Sequence, residues 1–146
     1  MSATEPIILA VQTNVAAPAD KVWQYFTLPE HIIHWNNASA DWHTPKADND
    51  LRVGGKFNSR MEAKDGSFGF DFWGIYDVVT PNKAIEYTMG DDRKVKIAFV
   101  EQEGQTKIIE HFEAENTNPV EMQQAGWQAI LENFKKYVEA TKTNGD

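Results

Sequence analysis

Glu110 makes the sharpest chemical statement in the sequence. It stands between Ile108 and Phe112 at the two-residue spacing that puts alternate strand residues on one face. A carboxylate placed among such neighbours loses hydration and its pKa rises, which is the condition for a general acid or base. Plainer arrangements fit the same pattern: a hydrogen bond to a Tyr or Trp, or a strand end that reaches water. A β-bulge would void the parity argument altogether. His111, on the other parity, is expected to face solvent.

The other candidates are weaker. His31 and His34 lie three apart on an expected helix, and His43 follows Trp42. Neither H-E-x-x-H spacing nor a completing carboxylate or Cys accompanies them, so surface imidazoles are expected and no metal. Serine-triad chemistry has no G-x-S-x-G to stand on. Gly54-Gly55-Lys56 lacks the G-x-x-x-x-G-K-S/T frame of a phosphate loop and reads as a bulge or sharp bend. Asp71, Asp77, Asp91 and Asp92 read as outward or turn residues, and Glu62, beside Arg60, as a cross-strand charge partner. No cofactor is expected.

These side chains need a scaffold, and periodicity supplies one. Leu9, Val11, Thr13 and Val15 alternate along a strand over 7–15. Pro18 opens a helix carrying Val22, Trp23, Tyr25 and Phe26, and Pro29-Glu30 opens a second short one through Ile32, Ile33 and Trp35. Residues 36–50 show no regular period and read as an irregular stretch. Asp41-Trp42-His43 within it is expected to fold back as a lid, with Trp42 as the plug. Turn signals at Lys64-Asp65-Gly66, Pro81-Asn82-Lys83, Gly90-Asp91-Asp92 and Glu103-Gly104-Gln105 then divide a meander of about six strands. One of these strands is expected to carry Phe68, Phe70, Phe72, Gly74, Tyr76 and Val78 on one face. After Asn118-Pro119 the period changes to that of a long amphipathic helix through Trp127, Ile130, Leu131, Phe134, Tyr137 and Val138. Thr141 to Asp146 is expected to be a frayed tail.

A twisted antiparallel sheet with one apolar face must cover it, and only the last helix is long enough. The expected fold is thus α+β, with a cavity where the curved sheet parts from the straight helix. By parity the sheet offers Phe57, Met61, Phe70, Phe72, Tyr76, Tyr87, Phe99, Glu110 and Phe112 to that interior. The helix adds Trp127, Ile130, Leu131 and Phe134, and Trp42 would close it. These residues are the expected ligand-binding set, with tyrosine hydroxyls as polar handles. An ordinary close-packed core would give the same periodicity.

The bulk composition narrows the partners. With 146 residues, one domain over 1–146 is expected, its core at about 8–139 between short flexible termini. The net charge of −8, with no Lys/Arg cluster to offset it, argues against nucleic acid and anionic membranes. Cysteine is absent, which removes disulfides and thiol nucleophiles. Met1 to Pro6 lacks the basic start and apolar run of a signal peptide, and no stretch approaches the ~20 apolar residues of a membrane helix. A cytoplasmic location is expected.

Several segments taken together resemble a known family. Ala17-Pro18 to Val22-Trp23 and Pro29-Glu30-His31 to Trp35 are similar to the START-like, or SRPBCC, superfamily. Asp41-Trp42-His43, Leu51 to Phe57, Met61 to Gly66 and Gly126 to Tyr137 resemble its branch named for the activator of the heat-shock-protein-90 ATPase. The resemblance implies a helix-grip fold, a sheet of about seven antiparallel strands wrapped around the C-terminal helix. It also implies a pocket for lipids, sterols, polyketides or hormone-like molecules, with a minority of members catalysing cyclisation or dehydration. The co-chaperone behind the branch name uses a second domain that this sequence is not expected to contain, so the name does not carry its function over. Binding of a small apolar or aromatic molecule is the leading expectation. A cyclase, dehydratase or hydrolase-type enzyme using Glu110 or a Tyr as proton carrier is the runner-up, and a chaperone-associated surface role the third.

Overall fold

The computed structural model describes residues 7–142. The chain runs β1 (Ile8–Val15), α1 (Ala19–Thr27), α2 (Pro29–Trp35), β2 (Trp42–Asn49), β3 (Lys56–Ala63), β4 (Gly69–Thr80), β5 (Ala84–Met89), β6 (Lys94–Gln102), β7 (Gln105–Glu113) and α3 (Val120–Lys142). The strands form one antiparallel sheet in the order β1-β7-β6-β5-β4-β3-β2. This is the α+β helix-grip arrangement. Because β1 and β2 lie on opposite edges, α1 and α2 carry the chain from one edge to the other and close one end of the sheet.

Local chemistry explains most boundaries. Pro18 precedes α1 without a side-chain cap; instead the Glu101 carboxylate of β6 accepts the Ala19 N–H at 2.8 Å. The β6–β7 connection is a two-residue turn with Glu103 at φ 57° and Gly104 at φ 78°, which sets Gln102 opposite Gln105. At the β3–β4 hairpin, the Asp65 carboxylate accepts the Ser67 N–H at 2.8 Å.

Four sequence expectations change. The stretch 36–50 is not irregular throughout: it contains β2, an edge strand whose Pro45 falls in a register shift between His43 and Lys46. An edge position with a bulge tolerates the missing N–H, and this local break hides the alternation. In β4 a second register shift between Tyr76 and Val78 reverses the parity, so Val79 rather than Val78 packs on the core. Phe68 precedes β4 and is exposed. Gly54-Gly55, by contrast, makes the expected sharp bend, in the β2–β3 connection, with Gly54 at φ +84° and Gly55 pressed against the Asp50 carbonyl oxygen. Of the expected C-terminal tail, Thr141 and Lys142 are helical; residues 143–146, like Met1 to Pro6, lie outside the described residues.

The core lies between α3 and the β1 side of the sheet. Leu131, Phe134 and Val138 of α3 are fully buried, as are Val15, Val95, Ile108 and Phe112 of the strands. The backbone of α3 runs close along β1 and packs on α1 and α2, but stands off β3 to β6. Sheet bulges and a straight helix leave a gap there.

Candidate functional site

That gap is a cavity of about 570 Å³. Its floor is the concave face of β3, β4 and β5, its roof Trp127 and Ile130 of α3, and its closed end Phe26, Ile32 and Trp35 of α1 and α2. Toward the start of α3 it reaches solvent past Met122, which is 60% exposed.

Phe57 organises the floor. Its ring lies 5.6 Å from Phe72, 5.4 Å from Tyr76 and 4.7 Å from Tyr87, centroid to centroid. It can lie flat on the sheet because its cross-strand partner is Gly74, where an added Cβ would come within 2.8 Å of the ring. On the rim, Trp42 packs against Phe68 and Phe70, at 6.0 and 5.9 Å. Trp42 therefore acts from a strand, as part of the rim, and not from a loop lid.

The two tyrosines on the floor differ. The Tyr76 hydroxyl donates to Asn49 Oδ1 at 2.6 Å, the Asn49 amide donates to the Thr27 carbonyl at 2.6 Å, and the Thr27 hydroxyl donates to the Trp23 carbonyl at 2.7 Å. This chain ties β4 to β2 and α1, and the Tyr76 hydroxyl is thereby engaged. Burial raises the Tyr76 pKa, with the Asn49 bond opposing. The Tyr87 hydroxyl makes no hydrogen bond among the described residues; burial, reinforced by nearby Glu110, pushes its pKa up.

Glu110 faces inward as its parity requires, and is 6% exposed. Its cross-strand neighbours Val11 and Ile97 are apolar, and no hydrogen bond or ion pair among the described residues reaches its carboxyl. Burial alone raises its pKa to about 8. Among the described residues, no fully enclosed side-chain nitrogen or oxygen lacks a partner. The unpartnered oxygens of Glu110 and Tyr87 therefore face the open space of the cavity.

Of the expected set, Trp42, Phe57, Met61, Phe70, Phe72, Tyr76, Tyr87, Glu110, Trp127 and Ile130 line the cavity. Phe99, Phe112, Leu131 and Phe134 do not; they belong to the solid core behind it. Each is covered by a neighbour: Phe112 by Trp127, Phe99 by Trp23 and Phe26, Phe134 by Phe26 and Trp35. Leu131 sits on the buried side of α3, at 1% exposure. Sequence reasoning missed the contributions of Phe26, Ile32 and Trp35; their helical spacing marks a buried face but not what that face meets.

The histidines stay apart. His31 Nδ1 lies 2.7 Å from the Tyr137 hydroxyl, the His31 ring stacks on Tyr25, and His34 stacks on Tyr137. His43 pairs across strands with Glu62 at 3.9 Å, while Glu62 also bonds Arg60 of its own strand at 2.8 Å. His111 is exposed. No group of three or more His, Cys, Asp or Glu among the described residues could hold a metal.

Comparison with known families settles the lineage. The family model described as activator of Hsp90 ATPase homolog 1-like protein matches residues 16–139. The chain belongs to this family. A solution structure of the AHSA1-like protein from Aeromonas hydrophila is 40% identical, with 96% of this chain and 97% of that one covered and a TM-score of 0.88. A solution structure from Cytophaga hutchinsonii is 50% identical over 94% of this chain and 95% of that one, with a TM-score of 0.79. A crystal structure from Chromobacterium violaceum, 22% identical over 92% and 99% of the two chains at a TM-score of 0.83, shares the fold. No curated protein matches. As in this AHSA1-like chain's sequence, no described helix is long and apolar enough to cross a membrane.

Proposed function

We propose that this AHSA1-like protein binds a small, predominantly apolar or aromatic molecule in the cavity between α3 and the sheet. The observation that carries the reading is a cavity of about 570 Å³ walled by aromatic rings and containing a buried carboxyl without a partner. A cavity of this size and lining suits a drug-sized molecule with one or two polar groups. A cytoplasmic protein of net charge −8 that carries or sequesters such a molecule is the role we infer.

A second reading has its own support. A carboxyl that keeps its proton near neutral pH, aimed into a cavity, is suited to a general acid. A cyclase, dehydratase or hydrolase-type step could use it. Binding ranks first because no hydrogen bond or ion pair among the described residues orients the Glu110 carboxyl for proton transfer. A surface role in chaperone regulation rests on the family description alone.

Native mass spectrometry of freshly purified protein tests the reading, together with amide chemical shifts during titration with 2-ethylnaphthalene. A co-purified small molecule, or shifts confined to residues around Phe57, Tyr87 and Trp127, is the expected outcome. An apo mass with no shift at those residues would overturn it.

A further inference from the structure

Glu110 of β7, Tyr87 of β5 and Ser59 of β3 face the cavity with no side-chain hydrogen bond among the described residues, whereas Tyr76 is held by Asn49; of these, Glu110 and Tyr87 lie near enough for one to influence the other. Facing open space rather than protein, such groups are free to bond a polar atom of whatever fills the cavity. The cavity's other charged groups are occupied elsewhere. Arg93 Nε bonds Asp91 at 2.7 Å and its Nη1 donates to the Glu113 carbonyl. Glu115 accepts the Thr117 and Asn118 N–H groups, and Asp48 pairs with Lys46 at 3.8 Å. The cross-strand neighbours of Glu110 are apolar, Val11 of β1 and Ile97 of β6, and the cavity it shares is lined by Tyr87 of β5 and by Gln123, Trp127 and Ile130 of α3, with Arg93 already engaged as above.

We propose that Glu110 and Tyr87 form a donor pair for one acceptor oxygen of the bound molecule. On this assignment the pocket selects a flat, largely apolar molecule bearing a carbonyl. The inference rests on the binding reading above and specifies its ligand class. Burial raises the Glu110 pKa to about 8, the Arg93 guanidinium of the same cavity is engaged by Asp91 and the Glu113 carbonyl, and a carboxylic acid kept neutral in an apolar site donates a hydrogen bond. The phenol is a donor throughout the neutral range, because burial and Glu110 oppose its ionisation more strongly than Arg93 favours it. A carbonyl oxygen has two lone pairs and can accept both bonds. The aromatic walls of Phe57, Phe72 and Trp127 then take the apolar body.

The probes are three molecules on one skeleton: 2-acetylnaphthalene, 2-ethylnaphthalene and 1-(2-naphthyl)ethylamine. Affinities are measured by calorimetry at pH 6.5 and pH 9.5, on either side of the Glu110 transition at about 8. At the lower pH the ketone is expected to bind about tenfold more tightly than the hydrocarbon, with the gap closing at the higher pH. Glu110→Gln, whose amide still donates, should keep the ketone preference and lose its pH dependence. Glu110→Leu and Tyr87→Phe should each reduce the preference, with near-ultraviolet circular dichroism reporting that the variants fold. The wild-type pH comparison needs no variant.

Equal affinity for ketone and hydrocarbon at pH 6.5 would overturn the donor pair and leave the binding reading standing. Tightest binding by the amine, with proton release to buffer, would overturn it in favour of an ionised Glu110 pairing with a cation. If none of the three binds, the cavity reading fails and the donor pair with it.

Discussion

The indole of Trp127 lies flat on the ring of Phe112, with centroids 4.1 Å apart and planes within 9°. This contact divides solid core from cavity: behind it Phe112 is fully buried, and in front of it Trp127 forms the roof. Trp127→Ala should therefore extend the cavity down to Phe112 and cost about 3 kcal/mol of stability, read from urea unfolding. Trp127→Phe, which keeps a ring on Phe112, should cost clearly less.

Phe57 and Gly74 test the floor. Gly74→Ala puts a methyl where the Phe57 ring now lies, since the Cβ would stand 2.8 Å from it and 2.9 Å from the Thr88 carbonyl oxygen. The ring must tilt into the cavity, at about 1–3 kcal/mol of stability. The expected readout is a lowered melting temperature together with weaker binding of 2-ethylnaphthalene. Adding Phe57→Leu should recover part of the stability, because the smaller side chain leaves room for the methyl.

The tyrosines should respond differently to loss of their hydroxyls. Tyr76→Phe strands Asn49 Oδ1 and breaks the chain from β4 to α1, so about 1–2 kcal/mol of stability should be lost. Tyr87→Phe removes a hydroxyl that bonds nothing among the described residues, and unfolding stability should stay the same or rise. Equal losses in the two variants would contradict this distinction.

Glu110 gives the protein a specific pH dependence. Its ordinary pKa is 4.5 and burial raises it to about 8 in the folded state. The native state then binds the proton more tightly than the unfolded chain, so the contribution to stability is full below pH 4.5 and is lost as pH rises to about 8. The expected slope in that window is up to about 1.4 kcal/mol per pH unit. The difference in urea midpoint between wild type and Glu110→Gln should change steadily across the window and level off above it. A constant difference would show that Glu110 titrates alike in both states.

The entry to α1 depends on a charge. Glu101→Gln keeps the shape but removes the charge that meets the Ala19 N–H at the helix start, and about 0.5–1 kcal/mol should be lost. High salt should reduce the difference.

Much of this architecture is written in local pattern. The strand at Leu9 to Val15, the helix from Pro119 onward and the turns at Gly66 and Gly104 follow from side-chain period and from glycine's access to positive φ, both short-range properties. Glu110's inward orientation is equally local, because β7 pairs with β1 and β6 without a shift. β2 is hidden in the sequence because Pro45 and a bulge interrupt its alternation, and Val78 reads onto the wrong face because a bulge adds one residue without any change in composition. Which apolar side chains line a cavity and which fill the core was not legible. Phe57 and Phe112 have the same parity and the same residue type, yet one is open to the cavity and the other lies under Trp127. Periodicity tells a side chain which face it is on. Only the tertiary structure, by setting the distance at which α3 stands from each strand, decides what it meets there.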